Sequence, residues 1–267
     1  TRSLRCNAYA KAYCGNRDPL PIVGTMSGRV VTLVYDPSGE ALFRFRECAQ
    51  SVLQQSSQDF WWVISIQQGT DASTCNYIRS LAHDRLEIRT SQAQTLGQHL
   101  AEVLALESAA QWTHLLCQDD MYASRDSIKH FQRNFTSFEA LILSPRPSRR
   151  RRQLRPHIAA VSWLERALAC SGVNRLGGLS ILAWQGSGVP VDDRFSMLAD
   201  LALFREIQLS GCDFRKVSGL VVEGRWPGQA QFQLRDSWAT EAREFVSSSQ
   251  LRGWKAGLAS AVCQAYG

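Results

Sequence analysis

The sequence predicts an α/β fold, a mostly parallel central sheet flanked by helices, and three observations carry that expectation. Between residues 29 and 144, short β-branched and aromatic runs alternate with amphipathic stretches of ten to sixteen residues, the order that parallel strands need for their crossovers. The runs are nearly continuous in apolar residues, as in Trp61-Trp62-Val63-Ile64-Ser65-Ile66, which is how strands covered on both faces read. One such run, Trp112 to Cys117, stops at two adjacent acids, Asp119 and Asp120. That stop places two carboxylates at the carboxyl edge of a sheet, where α/β folds bind ligands.

In chain order, residues 1–28 have mixed polarity and no period, and read as an N-terminal extension. A strand is expected over Arg29 to Tyr35, then a helix from Glu40 to Gln55 with Leu42, Phe45, Ala49, Val52 and Leu53 on one face. The strand Trp61 to Ile66, a short helix Ala72 to Ala82 and the strand Leu86 to Arg89 follow. A helix Leu96 to Ala110 feeds the strand Trp112 to Cys117, and a further helix, Ser124 to Asn134, precedes the strand Ala140 to Ser144. Residues 29–144 are thus expected to form a Rossmann-like half of the kind that binds nucleotides.

Composition then shifts. The segment 145–157 is rich in Pro and Arg and is expected as a solvated loop, since Arg146, Arg149 to Arg152 and Arg155 supply six of the thirty basic residues. Residues 158–232 read as a second half: a helical stretch Ile158 to Cys170, a Gly-rich turn with a strand in Asn174 to Trp184, a helix Ser196 to Ser210 and one strand over Phe214 to Val222. Residues 233–267 form a polar, mostly helical tail.

Composition narrows the class. With 45% hydrophobic and 20% charged residues the chain is globular in type. No run approaches the roughly 18 apolar residues of a membrane span, and no signal-peptide pattern appears. The expectation is a cytoplasmic protein, at most peripheral to an anionic membrane through the Arg149–Arg152 loop. The eight cysteines show no paired metal-ligand spacing and read as reduced core thiols. His99 and His114 lie within helix and strand patterns and read as structural, so a zinc site is not expected. The arginine block has no interleaved aromatic residues, so no nucleic-acid partner is expected.

Two acidic positions carry the chemistry. Two like charges one residue apart at a sheet edge ask for a cation, and a divalent metal carrying phosphate oxygens supplies one. On local grounds a turn at Asp119 and a helix cap at Asp120 account for the pair equally well. Asp200 lies early in an otherwise apolar helix, among Leu198, Ala199, Leu201 and Leu203. It reads either as a carboxylate complementing the helix dipole or as a general base whose proton affinity apolar surroundings raise.

The fragments LLCQDDM, NRLGGLS and DDRFSMLADLALFREIQLSG, in that order, with RECAQSVLQQS upstream, resemble family 2 glycosyltransferases of the GT-A fold over residues 29 to 231. That resemblance implies an inverting transfer of a sugar from a nucleotide-diphosphate donor to a saccharide or lipid-linked acceptor, assisted by Mn²⁺ or Mg²⁺. It implies metal and diphosphate contact at Asp119 and Asp120, with Asp120 the principal ligand, and Asp200 as the base. Tyr35, Asp36, Gln67, Asp71, Gln118, Gly177, Gly178 and Ser180 match the nucleotide-sugar-binding positions, and Asn174 opens the small-residue loop. The departures are Gln67 where an acid is usual, Cys117 at the first position of the acidic motif, and Pro227 where a His ligand is common. They motivate one rival, a catalytically silent nucleotide-sugar-binding or glycan-binding module. A nucleotidyltransferase is the third reading, disfavoured because Asp36-Pro37-Ser38-Gly39-Glu40 lacks the cation of a phosphate loop.

Overall fold

A computed structural model of the chain describes residues 28–106, 110–135, 140–144, 158–160, 169, 178–186, 189–209, 212, 214–218, 220–222 and 235–248. Residues 1–27 of the N-terminal extension, the arginine block, Asn174, Gly177 and Pro227 lie outside them, and Gly28, expected in the extension, opens the first strand.

The strands are β1 (Gly28–Val34), β2 (Phe60–Gln67), β3 (Leu86–Ser91), β4 (Trp112–Leu115), β5 (Met121–Tyr122), β6 (Ala140–Ser144), β7 (Ile158–Ala160), β8 (Leu182–Gln185), β9 (Phe214–Ser218) and β10 (Val221–Val222). The helices are α1 (Leu42–Leu53), α2 (Ala72–Arg79), α3 (Leu96–Leu104), α4 (Ser127–Phe135), α5 (Ala199–Leu209) and α6 (Arg235–Ser248), with a 3-10 turn at Leu179–Ile181. Among the described residues eight strands form one sheet in the order β3-β2-β1-β4-β8-β6-β9-β7, and β5 pairs with β10 in a separate ribbon. The pairs β1–β2, β2–β3, β1–β4 and β6–β9 are parallel. β8 runs antiparallel to both of its neighbours, and β7 is antiparallel to β9. The expected α/β class with a mostly parallel central sheet is therefore what the chain adopts.

Burial on both faces explains the apolar runs. Val30, Val34, Trp62, Ile64 and Ile66 join one core with residues of α1, α2 and α4, including Phe45, Ile78 and Ile128. Their alternates Val31 and Val63 join another with Leu100 and Val103 of α3, Leu201 and Phe204 of α5, and Phe245 of α6. Ser65 falls on the α3 face, and His99 satisfies it by a 2.8 Å hydrogen bond. His114, fully buried in β4, bonds the Tyr122 hydroxyl through Nδ1 at 2.7 Å and the Ser180 carbonyl through Nε2 at 2.8 Å. Since a carbonyl only accepts, Nε2 carries the proton and Nδ1 accepts from Tyr122. Both histidines are structural, as expected. The described cysteines, Cys48, Cys75, Cys117 and Cys212, are free thiols.

Two expectations fail in the second half. Ile158–Ala160 is an edge strand on β9, where a helix was expected. Small apolar residues carry no period of their own, so the unpaired edge of β9 decides their conformation. The segment 214–222 is two strands: β9 continues the large sheet, and β10 leaves it to pair with β5. The helix expected over Leu96 to Ala110 ends already at Leu104, and the other described helix and strand ends differ from expectation by a few residues.

Candidate active site

The carboxyl ends of β1, β2 and β4 open onto one edge, and each is held by side chains as well as by the ladder. Past β1, Tyr35 is 49% exposed. Its backbone is clasped by Gln118, whose Oε1 accepts from Tyr35 N and whose Nε2 donates to Tyr35 O, both at 2.8 Å. The clasp extends the β1–β4 pairing by one side chain and leaves the Tyr35 ring at the rim. Next, Asp36 is buried. Its Oδ1 accepts from Ala41 N at 3.2 Å, just ahead of α1, and its Oδ2 accepts from the Thr74 hydroxyl at 2.8 Å. Asp71 N donates to Asp36 O at 2.7 Å. Asp71 itself caps α2, accepting from Ser73 N at 2.8 Å and from the Ser73 hydroxyl, and these bonds hold its carboxyl below the usual range. Gly39, at φ +77°, lets the β1–α1 turn pass Asp71, because a Cβ there would sit 3.0 Å from Asp71 Oδ1. Asp36 and Asp71 thus use their side-chain oxygens to fasten the loops of this edge together. Gln67, half-buried, ends β2, and its carbonyl accepts from Thr70 N and Oγ1.

The acid pair follows β4. Asp120 N donates to Cys117 O at 3.1 Å, closing a tight turn that turns Asp119 and Asp120 out of the strand. Asp120 is 7% exposed and Asp119 half-buried. Burial raises the Asp119 carboxyl above its ordinary range, partly opposed by the Arg44 guanidinium. The Cys48 thiol is pushed well up by burial and then by Asp120, and the Cys117 thiol likewise. Negative charge is therefore concentrated in a poorly hydrated place. α1 supports the turn along one stripe: Cys48 Sγ donates to Cys117 O at 3.5 Å and Ser51 Oγ accepts from Tyr122 N at 3.0 Å. Arg44 lies one turn before Cys48 on that stripe, and periodicity alone did not single it out.

From the second half, the 3-10 turn reaches the acid pair's base. Ser180, fully buried, accepts from Cys117 N at 2.7 Å, so its hydroxyl shapes the turn from behind. Gly178 is exposed, with open space where a Cβ would point. Asp200 is half-buried in the first turn of α5, its Oδ1 accepting from Leu201 N at 2.8 Å. The segment before α5 lies against the start of α3, where a Cβ on Gly97 would come within 2.1 Å of Phe195 O. Because α3 follows β3, this contact brings the approach to Asp200 to the carboxyl edge of the sheet.

Among the described residues no group of three or more His, Cys, Asp or Glu side chains gathers at a metal-binding distance. Two adjacent carboxylates in a poorly hydrated turn still fit Mg²⁺ or Mn²⁺, hard ions that take one or two protein carboxylates and fill the remaining positions with phosphate oxygens and water.

No protein-family model matches the chain. No curated protein matches it in sequence either. Solved structures do match in shape. The S. aureus TarS 1-349 structure in complex with UDP-GlcNAc aligns over 90% of this chain and 71% of its own, at 10% identity and a TM-score of 0.61. The mannosyltransferase PcManGT from Pyrobaculum calidifontis, in complex with GDP-Man and Mn²⁺, aligns over 98% and 81%, at 14% identity and TM-score 0.60. Glucosyl-3-phosphoglycerate synthase from Mycobacterium tuberculosis, in complex with Mg²⁺ and UDP, aligns over 91% and 82%, at 12% identity and TM-score 0.52. The chain has the GT-A fold of these nucleotide-sugar enzymes, the fold that its own motifs resemble.

Proposed function

We propose that this chain is an inverting glycosyltransferase, moving a sugar from a nucleotide-diphosphate donor to a hydroxyl of a saccharide or lipid-linked acceptor with the help of Mn²⁺ or Mg²⁺. The observation that carries this reading is the Asp119–Asp120 turn at the carboxyl end of β4, poorly hydrated and set into a GT-A fold. In this reading the exposed Tyr35 ring offers a face to the nucleotide base, and the Gln67 amide hydrogen-bonds the nucleoside without adding charge. Asp120, with Asp119 beside it, holds the divalent ion, which when bound offsets the charge that grows on the departing diphosphate. Gly178 lets the backbone approach the sugar closely.

Asp200 takes the proton of the acceptor hydroxyl. The acceptor oxygen then bonds the anomeric carbon as the carbon–oxygen bond to the diphosphate breaks on the opposite face, which gives inversion.

Asp120→Asn and Asp200→Asn are each expected to lower transfer by about a hundredfold or more, with melting temperatures near wild type. Binding of UDP, GDP or dTDP with Mn²⁺, read as a thermal shift, is expected to weaken in Asp120→Asn and to persist in Asp200→Asn. An Asp200→Asn protein with full activity removes the base assignment, and no shift with any nucleotide diphosphate removes the whole reading. Nucleotide binding with neither transfer nor donor hydrolysis would favour the silent module.

A further inference from the structure

We infer that Glu241 is a positioning residue for Asp200, fixing through its carboxylate the turn from which the helix carrying Asp200 starts. The inference rests on the reading of Asp200 as the base.

Ser196, Met197 and Leu198 precede α5, so their amides find no partner in its ladder. Here three successive amides converge on one side chain: Glu241 Oε2 accepts from Ser196 N at 3.0 Å, Met197 N at 2.8 Å and Leu198 N at 3.2 Å, and Oε1 lies 3.2 Å from Ser196 N. Glu241 belongs to α6, more than forty residues later in the chain. Leu198 is the residue whose carbonyl accepts from Ala202 N at 2.8 Å, the first rung of α5, and Asp200 sits between the two. Holding the Leu198 amide therefore fixes where the first turn of α5 begins, and with it the direction of the Asp200 side chain.

α6 is itself braced against α5. Arg205 stacks over the Phe245 ring at 4.4 Å and donates from Nη1 to Phe245 O at 3.3 Å and Ser248 Oγ at 3.0 Å. Phe195 meets Phe245 edge to face at 5.3 Å, and Arg194 pairs with Glu244 at 3.0 Å. The brace at Arg205 holds α6 in place without Glu241, so a substitution at Glu241 loosens the start of α5 and leaves the docking of α6. Small displacements of a catalytic group cost rate steeply.

The test uses the full chain with UDP-GlcNAc and GDP-mannose as donors, following transfer or donor hydrolysis, and amide hydrogen exchange over residues 196–201. In Glu241→Ala, exchange at Ser196 to Leu198 is expected to rise at least tenfold and kcat to fall about tenfold or more, with donor KM within twofold of wild type. Glu241→Gln keeps an acceptor at the same reach and is expected to recover kcat to within about threefold. Should Glu241→Ala not fold, Glu241→Asp, whose carboxylate stops one methylene short, serves the same comparison. Faster exchange with an unchanged kcat overturns the positioning role, as does exchange that does not change. A fully active Asp200→Asn overturns the base reading and this inference with it, whereas an inactive Asp200→Asn beside a fully active Glu241→Ala overturns the positioning role alone.

Discussion

The two sides of this molecule hold their candidate site residues by different means. On the β1–β4 side, Tyr35, Gln67, Asp119 and Asp120 follow directly from strand ends that parallel ladders keep in register, Val31 opposite Val63 and Leu115. On the α5–α6 side, Asp200 sits on a helix whose start is held by a carboxylate from a distant helix and by close backbone contact with α3. A ladder distributes positional control over many hydrogen bonds. A clamp concentrates it in one or two residues, so single substitutions there should be felt more.

The largest effect is expected at Gly97, where the two sides touch. A Cβ there would lie 2.1 Å from Phe195 O and 3.0 Å from Asp193 O, both backbone atoms that cannot swing away. Gly97→Val is expected to cost about 3 kcal/mol or more by overpacking, measured by urea unfolding. It should also lower transfer further than the stability loss explains, because it displaces the segment leading to Asp200. A Gly97→Val protein of wild-type stability would mean that this contact does not join the two sides.

Next comes acid. Burial pushes His114 down to about 4, from an ordinary value near 6.5. The folded state thus binds this proton less readily than the unfolded state does. Its contribution is fully present above pH 6.5 and is lost as pH falls toward 4, about 2 kcal/mol between pH 7 and pH 5. His83 and His99 are also lowered by burial and add to the slope. His114→Gln is expected to flatten the pH dependence of stability in that window. An unchanged slope would place the acid sensitivity elsewhere.

The smallest effect is expected at Gln118. Gln118→Ala removes two hydrogen bonds that the ladder partly backs up, so stability should change by about 1 kcal/mol or less. Binding of a nucleotide diphosphate should weaken severalfold as the Tyr35 backbone loosens, measured by calorimetry. A loss as large as that of Gly97→Val would show that the β1–β4 side too depends on a clamp.

Legibility in the sequence follows the same division. Strands β1 and β2 could be placed from pattern because their apolar residues face two cores, and β2 shows it most clearly: Trp62, Ile64 and Ile66 turn to one core while Val63 turns to the other. The acids at the end of β4 were legible as an edge site because a strand must end somewhere and carboxylates are costly to bury there. The partners of the other polar residues were not. Asp36, Asp71 and Ser180 resemble donor contacts by position, yet their side-chain oxygens are engaged by Ala41, Thr74, Ser73 and Cys117. Ile158–Ala160 could not be assigned for the same reason, because small apolar residues take the conformation of the edge they meet.

By itself the sequence determined the α/β class, the two-faced core and the acidic edge after β4, because periodicity and apolarity encode burial locally. The reversal at β8, the escape of β10 to β5, the clasp of Gln118 on Tyr35 and the capture of three amides by Glu241 were decided only in three dimensions. A hydrogen bond depends on which groups come within about 3 Å of each other, and for residues tens of positions apart that proximity exists only once the chain has folded.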